Sequence, residues 1–349
     1  MNSYIGRHDQ MSFSERIFQM NWSYLFFITL IAVVGYFALY AAAGGNADPW
    51  ASKHLMRFGI GVVGLFIVAM TDLKIWHNLA YWMYGAGLLL LLAVEVKGHI
   101  GMGAQRWIDL GFIRLQPSEA MKVCVVIALA RFFSHQTVED VKQLKNLVIP
   151  LALIGVPTLL VMVQPDLGTA LMITMAGAAL IFLAGAPYKY FLITAGAVLA
   201  IIPLAWQFLL HDYQKARVMT FLNPESDPLG AGYHITQSKI ALGSGGISGK
   251  GFLQGTQSRL NFLPEKQTDF IFTLLAEEWG FIGGCALMLL FIVIMIYGYL
   301  IAWRSNNSFG RFLSLGLTTN FLLYVFINIA MVMGLIPVVG VPLPMISNG

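Results

Sequence analysis

Charge is scarce in this chain: Asp, Glu, Lys and Arg make up 11% of its 349 residues, against 58% that are hydrophobic. With a mean hydropathy of +0.72, that balance excludes a soluble domain, because repeated apolar runs of about 20 residues are the signature of membrane helices. Cysteine is nearly missing. Cys124 and Cys285 both lie inside apolar runs, where a thiol behaves as a small buried hydrophobe, so neither a disulfide framework nor redox chemistry is indicated. His234 has no His or Cys neighbour at metal-ligand spacing, and no metal is assigned. The excess of positive charge is small, +4. In a membrane protein basic residues serve orientation and anionic headgroups, which sets a nucleic-acid partner aside.

Apolar sequence is what the chain has in abundance. Residues 1–21 form a polar N-terminal segment of mixed charge, and the run from Trp22 to Ala43 is too long for a signal-peptide core, so it reads as an uncleaved first span. Further spans are expected at Leu55 to Met70, Trp76 to Val94, Glu119 to Phe133, Leu147 to Val163, Leu167 to Ala186, Tyr190 to Leu210, Phe281 to Trp303 and Phe312 to Ile336. The expected fold is therefore an all-α polytopic membrane protein of about nine spans, one domain over residues 22–349. With the N-terminus inside, Arg7, Arg16, Lys74, Arg131, Lys142, Lys145, Lys189, Arg304 and Arg311 all fall on the cytoplasmic side. The large loop between spans 7 and 8, residues 211–280 with its outer helix, then faces the periplasm or cell exterior.

That loop is the longest polar stretch. Lys215, Arg217, Lys239, Lys250, Arg259 and Lys266 stand there among glycines and prolines that favour turns. Gly243 to Gly251 matches neither phosphate-cradling spacing, so turns and close packing are expected of it. The hydrophobic run from Phe270 to Trp303 would measure roughly 50 Å as one helix against a bilayer core of roughly 30 Å. It splits into a short outer helix, Thr268 to Trp279, and a true span from Phe281, with Gly280, Gly283 and Gly284 near the join. Asp269 opens that outer helix, a position a capping carboxylate explains as well as a catalytic one.

Two further polar groups interrupt the spans. Glu119 and Lys122, three apart after Pro117, share a helix face, either as an ion pair neutralising itself or as part of a path for an anionic substrate that also uses Arg106. Asp166, in Gln164-Pro-Asp-Leu-Gly-Thr169, reads first as a helix cap and otherwise as a neighbour of the same outer cavity.

Taken together, Gln105-Arg-Trp-Ile-Asp-Leu-Gly111, Gln116-Pro-Ser-Glu119, Gln164-Pro-Asp-Leu-Gly-Thr169, Thr268-Asp-Phe-Ile-Phe272 with Ala276-Glu-Glu278, and Val341-Pro-Leu-Pro344 resemble the SEDS family of membrane glycosyltransferases. The stretches Glu225 to His234, Gln237-Ser-Lys239, Gly249-Lys-Gly251 and Gly255-Thr-Gln-Ser258 look like its elongation branch rather than its division branch. The resemblance implies an enzyme of the bacterial inner membrane that polymerises lipid II into peptidoglycan glycan strands on an undecaprenyl pyrophosphate carrier. It also implies a class B penicillin-binding protein and the other rod-complex (elongasome) proteins as partners. The family's essential outer-loop aspartate falls on Asp269. Departures are Ser347-Asn348-Gly349 where the family usually reads Ser-Tyr-Gly-Gly, and nine spans against the family's ten, so the chain is expected to stop before the last.

That chemistry sets two tasks. A base must take the proton of the acceptor 4-hydroxyl, the role the resemblance gives Asp269, and cations must stabilise the leaving pyrophosphate. The candidates for the second task are Arg106, Lys122 with its partner Glu119, Arg217 and Lys239; no cofactor is expected, and room is left for a labile divalent ion. The rival readings are a lipid II flippase, which needs charge through the whole membrane thickness, and a scaffold that only recruits a transpeptidase.

Overall fold

The computed structural model describes residues 13–97, 99–101, 104–109, 114–208, 212–224, 231–256 and 266–348. Its helices are α1 (Phe13–Phe18), α2 (Trp22–Ala42), α3 (Ala51–Met70), α4 (Leu73–Lys97), α5 (Pro117–Phe133), α6 (Val138–Val141), α7 (Val148–Val163), α8 (Leu167–Leu183) and α9 (Tyr188–Phe208). They continue as α10 (Asp212–Leu222), α11 (Ala231–Ser244), α12 (Ile271–Arg304) and α13 (Ser308–Val332). Every expected span is a helix within a few residues of its expected bounds. By length and hydropathy, Trp22–Ala42, Ala51–Met70, Leu73–Val96, Leu144–Val163, Ile271–Arg304 and Ser308–Val332 can each cross a membrane, and Leu167–Leu183 and Tyr188–Leu204 are shorter apolar helices. The chain is a multi-span membrane protein.

Two features lie beyond the sequence reading. Between α4 and α5, β1 (His99–Gly101), β2 (Ala104–Asp109) and β3 (Arg114–Leu115) form an antiparallel sheet in the order β1-β2-β3. Its register pairs Ile100 with Gln105 and Ile108 with Leu115, and the β-branched and aromatic side chains of Trp107 and Ile108 suit a strand. The long polar segment is also more ordered than a string of turns, since α10 and α11 lie within it.

The chain divides into two compact units. One comprises Leu73–Leu210 and Gly298–Leu323. Its core gathers Leu91, Met121, Val125, Leu129, Phe133, Ile154, Ile173 and Leu180 from α4, α5, α7 and α8. Small residues let these helices approach: a Cβ on Gly87 would lie 2.7 Å from the sulfur of Met121, and one on Gly177 would lie 2.5 Å from Ile154. Gln164 closes the end of α7 by donating its side-chain amide to the Leu91 carbonyl at 2.9 Å.

The other unit comprises Met1–Asp72, His211–Tyr297 and Tyr324–Gly349. Arg16 ties the start of the chain to the end of α3, donating to the Met70 carbonyl at 2.8 Å and pairing with Asp72 at 3.2 Å. Helix α12 is broken at Gly280 (φ 70, ψ −167), at the join expected from its excess length. The 245–251 segment fills the break. The amides of Lys250 and Gly251 donate to the carbonyls of Glu277 and Glu278, and the amides of Phe281 and Ile282 donate to those of Gly246 and Ile247. Both halves of the helix thus have partners for their interrupted backbone groups, which would otherwise be buried unsatisfied.

Candidate active site

Asp269 ends the turn Gln267–Thr268–Asp269 that leads into α12. The Phe270 carbonyl accepts the first helical amide, that of Thr273, at 3.0 Å, so Asp269 sits one residue ahead of the capping position. Its carboxylate is half-buried at the positive end of the helix, where negative charge is favoured. One oxygen, Oδ2, lies 3.5 Å from where a Cβ on Gly340 would be, and Gly340 has φ 78. A Cβ at that position would make only ordinary van der Waals contact with the carboxylate, and it is the left-handed backbone that calls for glycine.

Lys239 lies against the same connecting segment. Its ammonium passes over Gly334, 2.8 Å from where a Cβ there would be, and Gly334 also has positive φ. The residue before it holds α11 in place. The fully buried Ser238 hydroxyl donates to the Val332 carbonyl at 2.8 Å, so its contact with Thr273, also 2.8 Å, is one in which the Thr273 hydroxyl donates. The structure therefore brings Lys239 and Asp269 to the 334–340 segment, the lysine at one end and the carboxylate at the other.

Further along the outer part of α12, a second carboxylate has a lysine partner. Lys250 pairs with the fully buried Glu277 at 2.7 Å and donates to Thr256 Oγ1 at 2.7 Å. This lysine neutralises a carboxylate that burial alone would not tolerate. Burial pulls the ammonium of Lys266, three residues before Asp269, below the usual lysine range.

In the unit built on α4 to α9, Lys122 Nζ pairs with Glu119 Oε1 at 2.7 Å, with the lysine side chain 2% exposed and the glutamate 43%. Asp166 does cap α8, accepting from the Thr169 amide at 3.3 Å and hydroxyl at 2.9 Å. Gln116, at the start of the helix carrying Glu119 and Lys122, donates to Asp166 Oδ2 at 3.1 Å and so joins the two motifs. The structure thus assembles Gln116, Glu119, Lys122 and Asp166 in one unit, and Asp269 and Lys239 in the other. Arg106 lies on β2 and Arg217 on α10, and the side chains of both, like that of His234, fall outside the described residues.

Sequence reasoning missed the polar residues that hold the Asp269 turn. Asn328, fully buried in α13, donates to the Asp269 carbonyl at 2.9 Å. The only signal for it was an amide inside an apolar run, which in a membrane helix implies a partner.

A family model described as cell cycle protein and named for FtsW, RodA and SpoVE matches residues 15–349. The peptidoglycan glycosyltransferase MrdB of Escherichia coli (strain K12) is 46% identical over 323 residues, which is 92% of this chain and 87% of that protein. Stage V sporulation protein E of Bacillus subtilis (strain 168) is 35% identical over 330 residues, 92% of this chain and 89% of that one. Among solved structures, one described as the structural coordination of polymerization and crosslinking by a peptidoglycan synthase complex matches with a TM-score of 0.82 at 28% identity, covering 95% of this chain and 92% of its own. The rod shape determining protein RodA of Thermus thermophilus shares the fold with a TM-score of 0.70 at 24% identity, covering 95% and 91%.

Proposed function

This chain belongs to the FtsW, RodA and SpoVE family of cell cycle proteins, and from that membership we propose that it is a peptidoglycan glycosyltransferase of the elongation type, polymerising lipid II at the outer face of the bacterial inner membrane. Asp269 is the general base. It takes the proton of the acceptor 4-hydroxyl as that oxygen attacks the anomeric carbon of the donor from the face opposite the pyrophosphate. The bond from carbon to pyrophosphate oxygen breaks, the electron pair leaves with the lipid pyrophosphate, and the new β-1,4 link has inverted configuration. Lys239 and Arg217 stabilise the negative charge that builds on the departing group. Arg106 and Lys122, the latter held by Glu119, are proposed as substrate contacts in their own right.

The observation that carries this reading is the placing of a half-buried carboxylate at a helix start, against the same 334–340 segment over which Lys239 passes. The 46% identity to a peptidoglycan glycosyltransferase supports the reaction class. The likeness to a chain of a peptidoglycan synthase complex supports a class B penicillin-binding protein as the partner that cross-links the strands. The N-terminus is proposed to be cytoplasmic, on the distribution of Lys and Arg among the short connections. The decisive experiment gives purified protein labelled lipid II and reads glycan length on a gel: ladders from the parent and none from Asp269→Asn support the reading, and equal ladders from both remove Asp269 from it.

A further inference from the structure

We propose that Ser347, Asn348 and Asn328 are positioning residues that lock the turn carrying Asp269, with Arg57 bracing Asn348. The inference rests on Asp269 being the base. Its ground is that three consecutive carbonyls of the turn each accept a hydrogen bond from elsewhere in the fold. Gln267 accepts from the Asn348 amide at 2.9 Å, Thr268 from the Ser347 hydroxyl at 2.6 Å, and Asp269 from the Asn328 side chain at 2.9 Å. Each bond holds one peptide plane, and together they set φ and ψ at Thr268 and Asp269 and so the direction in which the carboxylate leaves the backbone.

The donors are themselves held. Asn328 spends its second amide hydrogen on the Val341 carbonyl at 2.7 Å, joining the turn to the 341–348 segment. Ser347 is a two-ended bridge, donating to Thr268 while accepting from the Leu343 amide at 2.8 Å. That segment is packed by Leu343 and Ile346, both buried, and its backbone comes so close to α2 that a Cβ on Gly35 would lie 2.6 Å from the Met345 carbonyl. Asn348 accepts from Arg57 of α3 through its side chain, at 2.7 Å. The asparagine that replaces the tyrosine expected from the family resemblance thus has a partner of its own. A mere surface loop has no use for three separate donors converging on three consecutive residues; a base that must meet a hydroxyl in one geometry does, since a misplacement of about 1 Å can cost about 10²-fold in rate.

The test measures kcat and KM for lipid II, with a melting temperature for each purified variant. Ser347→Ala is expected to lower kcat about 10- to 100-fold with KM unchanged, and Ser347→Thr, which keeps the hydroxyl, to restore most of the rate. Asn348→Ala, which removes only the Arg57 contact, should give a smaller loss of kcat and serves where Ser347→Ala does not fold. In an Asp269→Asn background Ser347→Ala should change the residual rate no further, because it acts through that carboxylate. If Ser347→Ala and Asn348→Ala fold and keep the parent kcat while Asp269→Asn loses it, the positioning role is wrong and the base stands. If Asp269→Asn keeps the parent rate, the base assignment itself fails. A Ser347→Ala that lowers only the melting temperature makes the bridge structural and overturns the proposal.

Discussion

At the scale of single residues, Asp269 and Asn differ in one respect that matters, the ability to accept a proton. Asp269→Asn is expected to bind lipid II and to polymerise it about 10²- to 10⁴-fold more slowly than the parent, measured as initial rates of glycan synthesis. Because the Phe270 carbonyl accepts the first helical amide, Asp269 stands outside the capping position, and Asp269→Ala should be as inactive as Asp269→Asn with a melting temperature near that of the parent. Parent-like activity in Asp269→Asn with a lowered melting temperature in Asp269→Ala would make it a cap. The Glu119–Lys122 pair predicts an asymmetry of stability, since the lysine is 2% exposed and the glutamate 43%. Glu119→Ala leaves a buried ammonium without its nearest counter-ion, whereas Lys122→Ala leaves a carboxylate that water can reach. Thermal denaturation should therefore show the larger loss for Glu119→Ala. Exchanging the two residues separates structure from function: a folded, inactive double variant places Lys122 on the substrate, and a folded, active one makes the pair structural. Glu119, Lys122 and Asp166 could be singled out in the sequence because a carboxylate or ammonium stands out in apolar surroundings, and Asp269 because it ends a polar turn where the family resemblance puts an essential aspartate. Asn328 and Ser347 were not, since their bonds reach 59 and 79 residues along the chain and only the tertiary fold shows that they meet the turn.

At the scale of elements, the break in α12 shows what local sequence can and cannot supply. Its location followed from a run too long for the bilayer and from Gly280, but what fills it is a separate segment more than 25 residues upstream, held by backbone hydrogen bonds on both sides of the break. The crossing is too close for side chains. A Cβ on Gly280, where φ is 70, would lie 2.2 Å from the Gly249 amide nitrogen, and one on Gly249, where φ is 80, would lie 2.1 Å from the Glu278 carbonyl. Both the contact and the left-handed backbone therefore call for glycine. Gly280→Ala and Gly249→Ala are each expected to lower the yield of folded protein and its melting temperature. Gly243→Ala, in α11 with nothing within 4 Å of the added carbon, should be neutral or stabilising by up to about 1 kcal/mol. Equal melting temperatures for all three would show that the crossing relaxes and that the break does not depend on it. The small sheet before α5 went unread for a different reason. Its strands hold 3, 6 and 2 residues, too short for alternation to register against the glycine around them.

At the scale of the whole molecule, hydropathy made the spans legible, because it is a property of local sequence, and the distribution of positive charge supplied the proposed orientation. The division into two units was not legible, since each unit is assembled from stretches distant in the chain, one from three pieces and the other from two. The same scale decides between a polymerase and a transporter. A transporter moves lipid II between two compartments and leaves its covalent structure unchanged, whereas a polymerase needs a base and a way to stabilise the leaving pyrophosphate at one face. In detergent there are no compartments. Protein purified with a class B penicillin-binding protein and supplied with labelled lipid II is therefore expected to yield glycan strands sensitive to muramidase, and to lose them in Asp269→Asn while the two proteins still co-purify. Strands that persist at the parent level in Asp269→Asn would assign the polymerisation to another residue or to the partner. No strands from the parent complex, with lipid II moved across vesicles that contain it, would replace the enzyme by a flippase.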